Sequence, residues 1–252
     1  MKEQKVNIIN KQGEKLTGIE TLPENLKGKA PAVILVHGFA AGKDEYGMFT
    51  SLIKPLSELG IATYRFDFSG VGESEGDFRE TTLTKLSGEL EKILEFVKTQ
   101  PNVDIKRIAI IAQSLGTCVT LALQPRVKCI VLIGSVGRPK ETLVSLFGLG
   151  HKPQGESFRT LTNGKVVYLN PSFWKDFDNY NLLTNVGKLN CPVLFVHGGA
   201  DDRVPLTEME LLFASAKEPK EKTIILGNNH NMRPHLDKLN EAVIKWLTEN
   251  LV

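Results

Sequence analysis

Short apolar runs at 32–36, 61–66, 108–112, 129–133, 193–196 and 223–226 punctuate the chain. They are rich in β-branched residues and apolar at successive positions, the pattern of strands covered on both faces in a parallel sheet. Between them the period lengthens. Leu83, Leu86, Leu90, Ile93, Leu94 and Val97 recur at three- and four-residue steps, which predicts a helix with one buried face. Such alternation implies βαβ units, so the expected fold class is α/β, with a mainly parallel central sheet flanked by helices. Upstream, residues 6–10 and 15–21 flank Lys11-Gln12-Gly13-Glu14 and predict an antiparallel hairpin at the sheet edge. The chain, 1–252, reads as one domain.

One segment breaks the rhythm. Between the strand ending near Ser135 and the one starting at Pro192 no long helical pattern occurs. FRTLTNGKVVYL, residues 158–169, predicts a hairpin there, because Asn163-Gly164 accepts the positive φ of a type I′ turn. Structureless loops of this length are uncommon inside a compact domain. An inserted cap subdomain is therefore expected over 137–186. Its aromatics, among them Phe147, Phe158, Phe173 and Phe177, suit both a small core of its own and an apolar wall over a site.

Composition narrows the function classes. The 252 residues are 41% hydrophobic and 24% charged, as in ordinary globular proteins, and the net charge is only +2. With that charge spread along the chain there is no electrostatic footprint for nucleic acid. The N-terminus, MKEQKVNIIN, has no apolar core of a signal peptide, and no apolar run approaches bilayer thickness. Three cysteines (Cys118, Cys129 and Cys191) lie in or beside apolar segments without metal-ligand spacing. The expectation is a cytoplasmic protein with no nucleic-acid or membrane partner and no metal or cofactor.

Two serines compete for a chemical role. Gly72-Glu73-Ser74-Glu75-Gly76 matches Gly-x-Ser-x-Gly, the signature of a nucleophile on a sharp strand-to-helix turn, whereas Ala112-Gln113-Ser114-Leu115-Gly116 departs from it at the first letter. Context favours the second. Ser114 follows a buried strand and precedes Gly116-Thr117-Cys118-Val119, the start of a helix whose free N–H groups can face a developing oxyanion. Ser74 follows a loop, has two acidic neighbours that would oppose negative charge, and reads as a turn residue.

In this strand–turn–helix arrangement an acid and then a histidine follow the nucleophile. His230, in the loop after the last strand, is the candidate base. His37 and His197 precede glycines at strand ends and read as turn-shaping, His151 lies in the insert, and His235 follows Pro234, the expected first-turn proline of the final helix. The spacing HGGADDRVP at 197–205 favours Asp201 as the acid over Asp202, which sits next to Arg203 and reads as solvated. Backbone N–H groups of Leu115 and Phe39 are the candidate oxyanion donors.

With these residues in place the chain resembles the α/β-hydrolase superfamily from about residue 31 onward. HGF at 37–39, DFSGVGES at 67–74, AQSLG at 112–116, HGGADDRVP at 197–205 and the His230 loop match it in order. In that family the DFSGVGES loop is structural, which accounts for Ser74. The layout looks most like the cinnamoyl/feruloyl esterase-like branch, with serine aminopeptidase-like hydrolases nearby. In those esterases a hairpin-bearing insert caps the site and binds a phenolic acyl group, which makes Tyr168 and Trp174 candidate substrate contacts. The implied activity is that of a serine carboxylesterase on a small-molecule ester. Its rivals are an amide or peptide hydrolase with the same triad, and a non-catalytic ligand-binding member of the fold.

Overall fold

The computed structural model describes residues 1–24 and 26–252. An antiparallel hairpin, β1 (Lys2–Ile9) and β2 (Lys15–Leu22), opens the chain. Strands and helices then alternate: β3 (Ala30–Val36), α1 (Met48–Glu58), β4 (Ala62–Phe66), α2 (Leu83–Thr99), β5 (Val103–Gln113), α3 (Leu115–Leu123) and β6 (Cys129–Ile133). The next segment holds α4 (Pro139–Phe147), a separate two-stranded sheet of β7 (Ser157–Thr160) and β8 (Val166–Leu169), and the short helices α5 (Pro171–Asp176) and α6 (Leu182–Val186). β9 (Val193–Gly198), α7 (Leu206–Ser215), β10 (Lys220–Ile225) and α8 (Leu236–Asn250) complete the fold.

The main sheet runs β1-β2-β4-β3-β5-β6-β9-β10. Pairing is parallel from β4 onward and antiparallel at β1–β2 and β2–β4. The chain leaves β3 for β4 on one side and returns to β5 on the other, so strand order reverses at β3/β5. A crevice opens at the carboxyl end of such a switch point.

Alternation along each strand builds two cores. Ala32, Ile34, Ile110, Leu132 and Phe195 point into one with α2 and α3, whereas Val33, Leu35, Ile111, Val131 and Val196 point into the other with α1 and α8. The amphipathic α2 starts where Thr82 caps it, its hydroxyl accepting from the Lys85 N–H at 3.0 Å. Apolar runs on both strand faces are thus the direct consequence of helices on both sides.

The 158–169 hairpin forms, with a different turn from the expected one. Gly164 takes φ 81°, but Asn163 stays out of the positive-φ region. The Gly164 N–H donates to the Leu161 carbonyl at 2.9 Å and the Leu161 N–H to the Lys165 carbonyl at 2.8 Å. This is a three-residue loop, a β-turn closed by one left-handed glycine, which requires positive φ at a single position. Pro234 also departs from expectation: α8 begins at Leu236 behind His235, so Pro234 precedes the helix.

Candidate active site

Parallel strands deliver their carboxyl ends to one edge, and the candidate residues gather there from β3, β5, β9 and β10. Ser114 sits between β5 and α3 with φ 51° and ψ −119°, a strained conformation for a residue with a side chain. Its N–H donates to the Ile133 carbonyl at 2.9 Å, and its carbonyl accepts from the Thr117 N–H at 2.9 Å and the Thr117 hydroxyl at 2.6 Å. Close packing makes Gly116 obligatory, since a Cβ there would collide with the Val36 carbonyl oxygen. Ala112 creates no such conflict. It is fully buried in β5 between Val36 and Leu132, and the turn forms with its methyl in place.

The Ser114 Oγ lies 2.9 Å from His230 Nε2, and His230 Nδ1 lies 2.8 Å from Asp201 Oδ2. The other Asp201 oxygen accepts from the Arg203 and Val204 N–H groups, both at 2.9 Å. Burial alone would push the Asp201 carboxyl up. The His230 hydrogen bond and charge, with the two backbone donors, outweigh it and hold the group below its ordinary range. An acceptor-only carboxylate on Nδ1 keeps that nitrogen protonated and leaves the Nε2 lone pair for the serine hydroxyl.

Loop hydrogen bonds hold His230 in place. Asn228, fully buried, donates to the Met232 and His235 carbonyls at 3.0 and 3.1 Å and accepts from the His235 N–H at 2.9 Å. The Ala200 N–H donates to the Asn228 carbonyl at 2.8 Å, tying the Asp201 loop to the His230 loop. Gln113 supplies a further brace, its amide nitrogen 3.3 Å from the His230 carbonyl oxygen and 3.2 Å from Nε2. Gly134, at φ 53°, leaves room for the imidazole, because a Cβ there would sit 3.2 Å from His230 Cε1.

The N–H groups of Phe39 and Leu115 have no hydrogen-bond partner among the described residues. The neighbouring Gly38 N–H is occupied, donating to Glu45 Oε2 at 2.6 Å. Burial pushes the Glu45 carboxyl up to about 8, against the pull of that N–H and the Arg203 charge. Glu45 and Tyr46 both adopt positive φ, 45° and 50°. His37 anchors the same loop: its Nε2 accepts from the Phe68 N–H at 3.1 Å and its Nδ1 donates to the Gly38 carbonyl at 2.8 Å. His197 is buried and pushed toward the neutral form by that burial, and it donates to the Val204 carbonyl at 3.0 Å.

Ser74 is far from this chemistry. Its hydroxyl donates to the Asp67 carbonyl at 2.6 Å and accepts from the Thr17 N–H at 2.9 Å, while the Asp67 carboxylate holds Lys43 at 2.8 Å. The DFSGVGES loop is a clasp between β2 and the loop after β3.

A cleft of about 320 Å³ opens over Ser114 and His230. Phe39, Glu45 and Tyr46 line it together with Leu143, Leu146 and Arg159 from the segment between β6 and β9. A larger depression of about 700 Å³ lies beside Met1, Glu24 and Lys54, with no serine–histidine pair in it. Ser114 and His230 lie in the smaller cleft.

The two candidate substrate contacts do not line it. Trp174 is buried, its Nε1 donating to Ser157 Oγ at 2.8 Å while it packs on Phe147 and Phe173. Tyr168 faces outward beneath Arg79, whose guanidinium lies 5.3 Å from the ring centroid. Register explains this: Tyr168 pairs with Phe158 on the outer face of the hairpin, and Val167 and Leu169 turn inward. Asp202, expected in solvent, is exposed, and it lines the cleft with Arg203, with which it forms no ion pair among the described residues. Glu45 and Arg159 carried no motif, and Gln113 stood only at an unspecified position of the AQSLG motif. The only sequence signal for Arg159 was its phase in the hairpin, opposite to Phe158.

Sheet order, strand-end placement of the site and sequence likeness converge on one class. The sequence signature of the alpha/beta hydrolase fold matches residues 31–150, and the chain belongs to the α/β-hydrolase superfamily. It is 30% identical over 234 residues to an uncharacterized protein of Mycobacterium tuberculosis, covering 91% of this chain and 74% of that one. It is 29% identical over 232 residues to the human mitochondrial palmitoyl-protein thioesterase ABHD10, covering 85% of this chain and 71% of the human one. The structure of Est1E from Butyrivibrio proteoclasticus with ferulic acid bound superposes with a TM-score of 0.86 at 26% identity, covering 97% of this chain and 98% of that one. The class is that of a hydrolase with esterase and thioesterase relatives. Among the described residues no helix is long and apolar enough to cross a membrane.

Proposed function

We propose that the protein is a serine hydrolase that cleaves carboxylic esters, thioesters included, through an acyl-enzyme. The observation that carries this reading is the continuous hydrogen-bonded line from Ser114 through His230 to Asp201, beside two unpaired N–H groups. His230 Nε2 takes the hydroxyl proton as Oγ attacks the carbonyl carbon, and Asp201 stabilises the resulting imidazolium. The carbonyl oxygen becomes an oxyanion facing the N–H groups of Phe39 and Leu115, each such donor being worth about 2.7–4 kcal/mol. Collapse expels the alcohol or thiol, which receives the proton from His230. A water then gives a proton to His230 and attacks the acyl-enzyme, and loss of Ser114 Oγ, reprotonated by His230, releases the acid.

Thioesters enter because ABHD10, a relative, is named a thioesterase, and hydroxycinnamoyl esters because ferulic acid is bound to the Est1E structure. The apolar side chains of Leu143 and Leu146 in the cleft suit a compact acyl group such as hydroxycinnamoyl. A cytoplasmic setting is supported by three unpaired cysteines, two of them fully buried.

Ser114→Ala is expected to lower turnover of an aryl ester by about 10⁶-fold. It should also abolish labelling by a fluorophosphonate, while Ser74→Ala remains labelled. Labelling that persists in Ser114→Ala and vanishes in Ser74→Ala would overturn the assignment. A panel of aryl esters from acetate to octanoate, with methyl ferulate and a palmitoyl thioester, ranks the acyl groups.

A further inference from the structure

Two guanidinium groups line the cleft over Ser114. Arg159 comes from β7 of the insert and Arg203 from the loop two residues past Asp201. Neither forms an ion pair among the described residues; Arg65, Arg79, Arg107 and Arg138 each have a carboxylate partner, and Arg126 and Arg233, outside the cleft lining, have none. Arg159 is half-buried; burial, and after it the charge of Arg203, lowers its pKa, so the two cations sense one another.

Nearby carboxyl groups do not neutralise them. Asp201 is engaged by His230 and two backbone N–H groups. Glu45 is buried, bonded to the Gly38 N–H and held mostly protonated at neutral pH; Asp202 lines the same cleft but is exposed and forms no ion pair with either guanidinium among the described residues. Tyr46 is the remaining titratable neighbour of Arg159 and is neutral at that pH, burial raising its pKa. Holding two cations at a partly dehydrated wall without a counter-charge costs stability, and an arriving anion relieves that cost. Guanidinium groups also offer planar donor pairs that match carboxylate and phosphate oxygens.

We propose that Arg159 and Arg203 form an anion subsite beside Ser114, so that the preferred substrates are esters bearing a carboxylate or phosphate group close to the scissile carbonyl. The apolar wall of Leu143 and Leu146 then faces the hydrocarbon between the two functional groups. The cleft, at about 320 Å³, holds a short acyl or leaving group and its charge together. The substrate class deepens the serine-hydrolase reading and, for turnover, rests on it.

The test compares 4-nitrophenyl hemiglutarate with its methyl-capped neutral counterpart. The expected ratio of kcat/KM, charged over neutral, is about tenfold or more, the size of one charge-assisted contact. Arg159→Gln and Arg203→Gln should each bring the ratio close to one, whereas Arg126→Gln, an exposed control, leaves it unchanged. A ratio near one in the parent enzyme, with turnover dependent on Ser114, refutes the subsite and leaves the hydrolase reading intact.

Binding is read separately by titrating glutarate and inorganic phosphate into Ser114→Ala by calorimetry, with folding checked by circular dichroism. The expectation is saturable binding that is lost when Arg159→Gln is added. The tighter of the two ligands tells carboxylate from phosphate. Binding of neither, or binding indifferent to Arg159, overturns the proposal even if the serine chemistry fails. Binding without Ser114-dependent turnover keeps the subsite and overturns the hydrolase reading.

Discussion

Glu45 shows how one residue can set a pH limit on a site. Its carboxyl accepts from the Gly38 N–H in the loop that also presents the Phe39 N–H, and burial raises its pKa from 4.5 to about 8. A group with a raised folded-state pKa contributes its full stability below the unfolded value and loses it as pH rises through the folded value. Parent stability relative to Glu45→Gln is therefore expected to fall between about pH 4.5 and about 8, read as a shrinking difference in melting temperature. Ionisation also places negative charge behind the proposed oxyanion loop, so kcat should decline above about pH 8 in the parent and less in the variant. A melting-temperature difference that stays flat with pH would sink this account. None of it was legible in the sequence, where Glu45 stands in an unremarkable loop and nothing signals that it will be buried.

At the scale of elements, the turn from β5 to α3 answers what Ala112 costs. The first letter of the serine motif departs from glycine, yet Ser114 reaches φ 51° and its Oγ meets His230. The methyl of Ala112 fills core space beside Val36 and Leu132. Ala112→Gly is expected to destabilise the protein by about 1–2 kcal/mol, from one lost buried methyl and a freer unfolded backbone. Turnover should change little. Urea unfolding with matched kinetics checks both, and a gain in kcat would mean that the methyl had been straining the turn. The same scale explains the misplaced aromatics. The hairpin followed from its Asn163-Gly164 turn signal, but which face met the cleft depended on pairing register between β7 and β8, which put Arg159 inward and Tyr168 outward.

For the whole molecule, the sheet is what unites residues 116 and 29 positions apart in the chain, Ser114 with His230 and His230 with Asp201. Both cores pack against that sheet, so its stability and the geometry of the site are linked. Three thiols report on it. Burial pushes Cys118 and Cys129 up to about 12 and Cys191 up to about 11. With the thiolate as the reactive form, the folded protein is expected to react slowly with Ellman's reagent, Cys191 first, and all three should react promptly in urea. Fast reaction of Cys118 in the folded state would show that α3 opens independently of the sheet.

Periodicity by itself determined the fold class. Apolar runs and helical stripes have only a small set of burial solutions, and a parallel sheet sandwiched by helices satisfies both. Local context also separated Ser114 from Ser74, because a strand before and a helix after are written in adjacent residues. Order along the chain then singled out Asp201 and His230, which the structure joins to Ser114 by hydrogen bonds. Tertiary structure decided what lines the cleft. Leu143, Leu146 and Arg159 reach it from the segment between β6 and β9, whose docking depends on register, loop path and burial, and these emerge only when distant segments pack. Neither Arg159 and Arg203 as cations left without counter-ions nor Glu45 as a buried acid could be read locally. Charge environment is a property of the assembled neighbourhood, and no residue carries it in its own sequence context.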